Sequence, residues 1–268
     1  MIFRAPASTA NLGPGFDCAA AALDLWNELV LEPGVPADTD HLGVRAFAKL
    51  APPDGWSFEF SDRIPRERGL GSSASIVALG LVAAAAVSGN GRSADDLLAA
   101  GAELEGHADN LAAALAGGVC LTAGSHIARV ADAAPAEPIA VVPSYRVNTL
   151  ESRRALPGTV DHADAAYTAA HAALLGAALA SGSEELFARS LDDRLHEPYR
   201  GANAPLLGEL RSALPASALG ATLSGSGPTV IVWARSGESP ECAAALAERY
   251  PDAQILSLRV TPTGAGPL

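Results

Sequence analysis

Two adjacent serines in a glycine-rich stretch are the first residues of this sequence that could do chemistry. Ser72 and Ser73 follow Gly69-Leu70-Gly71 and precede an alanine-rich segment that runs to about Val87. Glycines let the backbone approach an anion closely, and the free N–H groups of a helix's first turn point towards it. Serine hydroxyls add hydrogen-bond donors or reach a magnesium ion. The stretch is therefore a candidate phosphate site, although a glycine turn whose serine caps a core helix is an equally good interpretation.

Two familiar nucleotide-binding schemes do not fit this loop. Lys49 is the only lysine and lies far from any glycine-rich stretch, so the chain has no Walker-type GxxxxGKS/T loop and no obvious lysine clamp of the protein-kinase type. Residues 69–74 match GxGxxA, but a dinucleotide fingerprint directly follows a buried strand and precedes an acidic residue by about 20 positions. Here residues 64–68 (IPRER) precede the loop and residues 88–91 (SGNG) follow the helix. A phosphate held here would be bound by another scheme.

A polar stretch near the N-terminus offers groups that could hold a small charged molecule. It reads PASTANLGPGFD over residues 6–17. The amide of Asn11 can donate and accept hydrogen bonds, and the carboxylate of Asp17 can bind an ammonium group. Taken alone, the stretch is more simply interpreted as an ordinary polar loop.

The stretch EGHADN, residues 105–110, combines a carboxylate, a histidine and an amide. Glu105 could share a magnesium ion with a nearby hydroxyl, because Mg²⁺ prefers hard oxygen ligands together with substrate phosphates. His107 does not indicate a zinc site, since no second histidine or cysteine lies at ligand spacing. A solvated helix end is the alternative interpretation.

A second glycine-rich turn, LSGSGPT, occupies residues 223–229. It lacks the GxSxG spacing of a hydrolase nucleophile, so hydrolytic chemistry is disfavoured. A glycine hairpin turn between two strands is its simplest interpretation.

The elements that must position these groups mix strands and helices without strict alternation, which favours an α+β fold over a doubly wound sheet. The alanine-rich helix should run to about Val87 and be closed by residues 88–91 (SGNG), since glycine is usual just past a helix end. Ser93 with Asp96 forms a capping-box pattern for a helix to about Glu105. Strands are expected at 1–5, 29–32, 56–60, 118–122, 126–131, 139–143 and 253–260, and around the glycine turn at 223–229. Further helices are expected at 41–50, 111–116, 163–180, 183–195, 204–213 and 238–249.

Composition narrows the function classes. With 268 residues, 49% hydrophobic and 18% charged, the chain can bury one large core or two small ones. A net charge of −12 repels a phosphate backbone, so we expect no nucleic-acid partner. The three cysteines (Cys18, Cys120 and Cys242) are odd in number and far apart, which fits a reducing cytoplasm. The apolar run 76–87 is too short to span a bilayer, and the N-terminus lacks a secretory signal pattern.

The four motifs, taken in order, resemble those of the GHMP kinases: PxSxANLGPGFD, PxxxGLGSSAS, EGHxDN and LSGSGPT. The resemblance spans nearly the whole chain. NLGPGFD, EGHADN, TLESRRALP at 149–157 and HEPYR at 196–200 look most like the homoserine kinase branch. The resemblance implies a domain similar to ribosomal protein S5 domain 2 over residues 1–140 and a ferredoxin-like domain over residues 141–268.

The resemblance also implies an activity, the transfer of a phosphoryl group from ATP to the side-chain hydroxyl of L-homoserine, a step of threonine biosynthesis. Ser73 and Glu105 would hold Mg²⁺. ATP would lie under a loop and first helical turn made of Pro65, Arg66, Glu67, Arg68, Gly69, Leu70, Gly71, Ser72, Ser73, Ala74 and Ser75. A kinase acting on another small alcohol and an inactive ligand sensor are the alternatives. Many members of the superfamily are dimers, so a homodimer is compatible with the resemblance.

Substrate roles follow in the same way. Asn11 matches the residue that contacts the hydroxyl of homoserine, and Asp17 the residue that meets its ammonium group. Arg153 and Arg200 match the pair that holds the carboxylate, which suits the bidentate grip of arginine, although surface solvation is their simpler alternative. The remaining matches are His107 beside the substrate, Thr149 near the reaction centre, and the glycine loop of Gly225, Ser226 and Gly227. Asn110 stands where several relatives carry an aspartate base, and because an amide cannot take up a proton, we expect catalysis without a carboxylate base there.

Overall fold

A long antiparallel strand pair is central to the first of two sheets in the computed structural model, which describes residues 1–89, 91–202 and 204–268. Strand β1 spans Ile2–Ala10 and β2 spans Ala19–Pro33. The other strands of this sheet are β3 (Trp56–Ser61), β4 (Val119–Ala123), β5 (His126–Ala131) and β10 (Gly266–Pro267). Their order is β10-β1-β2-β4-β5, with β3 also paired to β2. The turn between β1 and β2 therefore carries residues 11–18 of the first motif.

Four helices accompany this sheet: α1 (Leu42–Ala48), α2 (Ser72–Ser88), α3 (Ala94–Glu105) and α4 (Asp109–Ala116). Helix α2 packs against β1 and against the other three helices. Its small side chains permit this, because a Cβ at Gly80 would collide with the carbonyl oxygen of Gly43 in α1. The apolar core of this half contains Leu79, Leu81 and Phe47. Helix α2 is thus held rigidly, with its N-terminus facing the site described below.

The second sheet consists of β6 (Glu137–Val142), β7 (Ala218–Leu223), β8 (Val230–Ala234) and β9 (Gln254–Ser257). Its order is β7-β8-β6-β9 and every pairing is antiparallel. The accompanying helices are α5 (Thr149–Arg154), α6 (His162–Ser181), α7 (Glu184–Ser190), α8 (Glu197–Arg200), α9 (Leu206–Ser212) and α10 (Ser239–Arg249). Strand, helices, two strands, helix and strand follow one another as in a ferredoxin-like β-α-β-β-α-β unit.

The predicted division after residue 140 stays a prediction. Position 140 lies inside β6, whose residues all pair with β8 or β9 of the second sheet. The C-terminal end returns to the first sheet, where β10 pairs with β1 and Val260 bridges to Leu23. The chain therefore crosses between the sheets twice.

Most of the predicted elements are present, including the helix end at Gly89, with φ 64°, and the capping box of Ser93 and Asp96. The strands predicted at 1–5 and 29–32 are too short, because they are the outer parts of β1 and β2. Residues 19–23 are all buried, so they lack the alternation of apolar and polar residues by which a half-buried strand is found. The helix predicted at 183–195 ends at Ser190.

Cys18, Cys120 and Cys242 are free thiols. Among the residues that the structure describes, no helix is both long and apolar enough to cross a membrane.

Candidate active site

A cavity of about 310 Å³ brings the four motifs together. The β1–β2 turn, the N-terminus of α2, the α3–α4 connection, α5, α8 and the β7–β8 turn all contribute to its lining. Predicted residues in the lining are Asn11, Asp17, Pro65, Glu67, Arg68, Gly69, Gly71, Ser72, Ser73, Ala74, Glu105, His107, Asn110, Thr149, Arg153, Arg200, Gly225 and Ser226. The lining also contains Asp109 and the apolar Leu104, Val147 and Leu150, which sequence reasoning did not single out.

Four predicted residues lie outside this lining. Leu70 is fully buried in the apolar core, and Ser75 is buried where its hydroxyl donates to the carbonyl of Ser72 and accepts from Asn27. Arg66 is exposed and pairs with Asp62. Gly227 packs against the side chain of Leu223. These four residues are neighbours of the site residues in sequence. In the structure, Leu70 and Ser75 are buried in the interior, Arg66 lies on the surface, and Gly227 belongs to the β7–β8 turn.

Backbone hydrogen bonds hold the phosphate-loop candidate between two other motifs. The N–H of Ser8 in β1 donates to the carbonyl of Leu70 (3.1 Å), and the N–H of Gly225 donates to the carbonyl of Ala10 (3.1 Å). The buried Ser224 hydroxyl donates to the carbonyl of Gly69 (2.6 Å). Three stretches that are far apart in sequence are thereby fixed to one another at the wall of the cavity.

Gly69 has no room for a side chain in this arrangement. Its φ is 80°, in the left-handed region, and a Cβ would collide with the carbonyl oxygen of Ser224. Glycine is the residue that accepts both conditions without strain.

The N-terminus of α2 opens on the cavity without a side-chain cap. The N-cap is Gly71, with φ 65°, so neither serine caps the helix, and Ser72 and Ser73 are its first helical residues. A Cβ at Gly71 would collide with the hydroxyl of Ser8, which donates to Oδ1 of Asn110 at 2.8 Å. Unpaired N–H groups and the helix dipole favour an anion at this point. The geometry supports the phosphate interpretation over a serine-capped turn.

A hydroxyl and a carboxylate meet beside this helix end. The Ser73 hydroxyl donates to Oε1 of Glu105 at 2.5 Å, and Glu105 is the last residue of α3. Burial raises the pKa of the Glu105 carboxyl, while the hydrogen bond from Ser73 acts in the opposite direction. Two hard oxygens are a sufficient protein share for Mg²⁺, which is held by one or two carboxylates plus substrate phosphates and water. The donor set therefore fits the metal that the resemblance implies.

Asp109 is the functional candidate that sequence reasoning missed. It is 3% exposed and begins α4, and its Oδ1 lies 2.9 Å from Nδ1 of His107 and accepts from the N–H of Asn110 at 2.7 Å. The hydrogen bond to Asp109 is the largest cause that raises the pKa of His107. EGHADN contains this residue, but the sequence does not tell an inward carboxylate from one on a solvated helix end.

Asp17 and Arg153 form a two-pronged ion pair, although they were predicted to bind opposite ends of a substrate. The guanidinium donates to both carboxylate oxygens, at 2.7 and 3.1 Å, and the side chains are 37% and 34% exposed. This hydrogen bond raises the pKa of Arg153. The Asp17 carboxylate is thus paired with a cation, as it would be by the ammonium group of a zwitterionic ligand, and the Arg153 guanidinium is paired with a carboxylate, as it would be by the carboxylate of that ligand.

Arg200 is a buried cation with 2% exposure. Its Nη1 donates to the carbonyl of Gly225 at 2.9 Å, and its buried Nε has no hydrogen-bond partner in the part of the chain that the structure describes. Among the described residues, no carboxylate lies within salt-bridge distance of it, and burial lowers its pKa. Surface solvation does not account for this arginine. Because an uncompensated buried charge is costly, an anion in the cavity would be stabilised here.

The remaining predicted groups tie the walls of the cavity together. The hydroxyls of Thr149 and Ser226 are 3.2 Å apart, and Ser152 donates to the carbonyl of Ser226. Asn11, with φ 74°, donates to the carbonyl of Gly225 at 3.0 Å and accepts from the N–H of Asp17 at 3.1 Å. Both polar atoms of its amide thus have a part in the turn, and contact with a substrate hydroxyl stays a prediction for it.

The comparisons with known proteins agree with this geometry. The family described as the GHMP kinases N terminal domain matches residues 41–118, and the GHMP kinases C terminal family matches residues 175–252. A homoserine kinase from Desulfitobacterium hafniense is 36% identical over 91% of each chain. This chain belongs to the GHMP kinases, and within them to the homoserine kinase family.

Further homoserine kinases extend the likeness. That of a Synechococcus species is 38% identical, over 84% of this chain and 83% of its own. The crystal structure of homoserine kinase from Cytophaga hutchinsonii superposes with a TM-score of 0.86 at 25% identity, covering 100% of this chain and 97% of that one. The α+β GHMP kinase fold is therefore confirmed for this member of the homoserine kinase family.

Proposed function

We propose that this chain transfers the γ-phosphoryl group of ATP to the side-chain hydroxyl of L-homoserine, forming O-phospho-L-homoserine. The observation that carries the proposal is a single cavity with two kinds of wall. One wall is an uncapped helix N-terminus beside Ser73 and Glu105, which suits a magnesium-bound triphosphate. The other wall contains both carboxylates and arginines, which suits a zwitterionic amino acid.

The nucleotide is bound mainly by backbone in this proposal. The N–H groups of the first turn of α2 bind phosphate oxygens, and Gly69 and Gly71 allow the chain to approach them. Arg68 lines the same cavity and donates to the carbonyls of Ser144 and Tyr145, both at 2.7 Å, which fixes the loop to the chain that follows β6. Contact of its other N–H groups with ATP stays a prediction.

The amino acid is bound by side chains. Arg200 and Arg153 bind the carboxylate of homoserine, while Asp17 and the buried Asp109 bind its ammonium group. The pair between Asp17 and Arg153 opens when the zwitterion enters, and the charges of the substrate replace the charges that the two residues lend each other. Asn11, His107 and the glycine loop of Gly225 and Ser226 line the same region.

Mg²⁺ belongs to this proposal as the cation held by Ser73 and Glu105 together with phosphate oxygens. When bound, it would supply positive charge against the negative charge that builds up on the transferred group. The protein itself contributes orientation, since phosphoryl transfer depends mostly on positioning and charge stabilisation.

The proton of the hydroxyl has no dedicated carboxylate acceptor at Asn110. Oδ1 of that amide accepts from Ser8, and an amide has no useful basicity. The neighbouring Asp109 carboxylate is assigned to the ammonium group of the substrate, and its Oδ1 already lies 2.9 Å from Nδ1 of His107 and accepts from the N–H of Asn110. We therefore propose that the proton passes to the phosphate or to water, with Thr149 close to the reaction centre.

Finer attributes rest on the sequence and on the resemblance. We propose a cytoplasmic enzyme from its cysteine usage, without a nucleic-acid partner because of its net charge of −12. A homodimer is compatible with the resemblance. Neither a different small alcohol nor an inactive ligand sensor is favoured by the comparisons, in which homoserine kinases recur.

An ADP-release assay over a panel of alcohols tests the proposal. We expect turnover with L-homoserine and little with isoprenoid or phosphorylated alcohols. Turnover with only one of the other alcohols would show that this alcohol, and not L-homoserine, is the substrate. Binding of ATP and L-homoserine without ADP formation would support the sensor.

A further inference from the structure

A fully buried histidine lies behind Arg200 and has no part in the chemistry above. His196 has 0% exposure and immediately precedes α8, the short helix that ends with Arg200. Its Nε2 lies 2.8 Å from the carbonyl oxygen of Gly13, and its Nδ1 lies 3.1 Å from Nη1 of Arg200. Its ring also stacks on Phe16, with 5.0 Å between ring centroids.

The two partners determine which ring nitrogen carries the proton. A carbonyl oxygen only accepts, so Nε2 must donate to Gly13. A guanidinium only donates, so Nδ1 of His196 must accept from Arg200. Burial lowers the pKa of His196 to about 4, against the raising effect of Asp193, which keeps the ring neutral as this arrangement requires.

The imidazole joins two parts of the cavity wall that is proposed to bind the amino acid, which we call the amino-acid wall. Gly13 belongs to the β1–β2 turn that also carries Asp17, while Arg200 ends α8. In the described part of the chain, the hydrogen bonds of the Arg200 side chain all come from Nη1, to His196 and to the carbonyl of Gly225. Nη1 of the guanidinium is thereby anchored, and Nη2 is left for an anion.

We propose that His196 is a positioning residue that sets the guanidinium of Arg200 against the carboxylate of the substrate, at a fixed distance from the turn that carries the ammonium site. It acts through its acceptor nitrogen on Arg200 and through its donor nitrogen on Gly13. This inference rests on the proposed function, because it needs Arg200 to bind the carboxylate of homoserine.

Two substitutions separate the two contacts. The amide oxygen of His196→Asn reaches the place of Nδ1 and can accept from Arg200, whereas the amide nitrogen of His196→Gln reaches the place of Nε2 and can donate to Gly13. We expect His196→Gln to raise the KM for L-homoserine about tenfold or more, because a hydrogen bond to a charged group is lost. kcat and the KM for ATP should stay within about twofold, and His196→Asn should raise the homoserine KM less.

A substrate without the carboxylate distinguishes positioning from a general structural role. 3-Aminopropan-1-ol is homoserine without its carboxylate, so the ratio of wild-type to His196→Gln kcat/KM should fall towards one with this alcohol. An equal ratio for both alcohols, or a larger loss in His196→Asn than in His196→Gln, would overturn the inference. Absence of wild-type turnover with homoserine would instead contradict the proposed function.

The imidazole of His196 in the wild-type enzyme provides a further test, which does not require a substituted protein to fold. Imidazole ¹⁵N shifts at neutral pH should show an unprotonated Nδ1 and a protonated Nε2 for His196. A proton on Nδ1, in either a neutral or a charged ring, contradicts the positioning role.

Discussion

The wall of the cavity proposed to bind ATP (the nucleotide wall) and the wall proposed to bind homoserine (the amino-acid wall) are formed by different groups of the protein. The nucleotide wall is a backbone structure, in which Gly69 and Ser224 fix one loop to another and Gly71 leaves a helix end open. The amino-acid wall is a set of charged side chains, with Asp17 and Arg153 paired to each other and Arg200 buried with no carboxylate of the described residues within salt-bridge distance. In the proposed function, the first wall is preorganised for its ligand, and the second exchanges one ion pair for the charges of the substrate. Backbone changes should therefore damage the first wall and charge changes the second.

The largest effect is expected from Gly69→Ala. A methyl group there meets the carbonyl oxygen of Ser224, and a left-handed φ of 80° adds about 1–2 kcal/mol of strain. We expect kcat/KM for ATP to fall roughly a hundredfold or more, the size that misplacement of a site produces. Gly124→Ala is the matched control, because its φ is 63° but no atom of the described residues lies within 4 Å of the added methyl group. Equal losses in the two variants would show that strain, and not the packing of the loops, is decisive.

Arg200→Ala should come next and should act on the other wall. Loss of this cation is expected to raise the KM for L-homoserine about tenfold to a hundredfold, with the KM for ATP unchanged. Arg189→Ala, which removes an arginine whose side chain is 70% exposed, is the control. A parallel rise in the KM for ATP would contradict the division of the cavity into two walls.

Much of this arrangement follows from local sequence, and some of it does not. The C-cap of α2 and the N-cap of α3 are predictable because Gly89 and Ser93 act on their own neighbours. The pair between Asp17 and Arg153 joins residues 136 positions apart, so only the folded chain reveals it. Asp109 was missed because spacing in a motif does not tell which way a carboxylate points. The length of β1 and β2 was missed because both faces of residues 19–23 are buried.

Glu105→Gln tests the metal part of the nucleotide wall. An amide is a weaker ligand than a carboxylate, so we expect the Mg²⁺ concentration for half-maximal activity to rise about tenfold. Glu103→Gln is a close control, since Glu103 lies two residues away, is 81% exposed and pairs with Lys49. An unchanged Mg²⁺ requirement in Glu105→Gln would remove this residue from the metal site.

Asn110→Ala should have a smaller effect. The substitution removes the hydrogen-bond acceptor of the Ser8 hydroxyl. It does not remove a catalytic base, because an amide is not one, so kcat should fall about tenfold or less. A fall of kcat to background, with binding of both substrates intact, would mean that the amide takes a direct part in the reaction. Single-turnover kinetics separate the chemical step from binding.

The smallest effect concerns the support of the amino-acid wall. Burial raises the pKa of Glu197, at the start of α8, to about 7 from the ordinary 4.5, although its ion pair with Arg211 (2.6 Å) acts in the opposite direction. Between these pH values the unfolded chain releases a proton that the folded protein keeps, so stability falls as pH rises through this window. Glu197→Gln, which still accepts from the N–H of Leu223, should flatten the dependence of Tm on pH by several degrees, because a pKa raised from 4.5 to about 7 corresponds to roughly 3 kcal/mol. An unchanged slope would show that Glu197 is ionised in the folded protein.

Identification of the phosphorylated product tests the central claim most directly. The purified chain is incubated with ATP, Mg²⁺ and L-homoserine, and the mixture is followed by ³¹P NMR. A two-walled cavity of this kind predicts a phosphate monoester on the homoserine hydroxyl, formed in step with ADP and saturable in L-homoserine. ADP formation that is independent of L-homoserine, or no phosphate ester at any homoserine concentration, would contradict it.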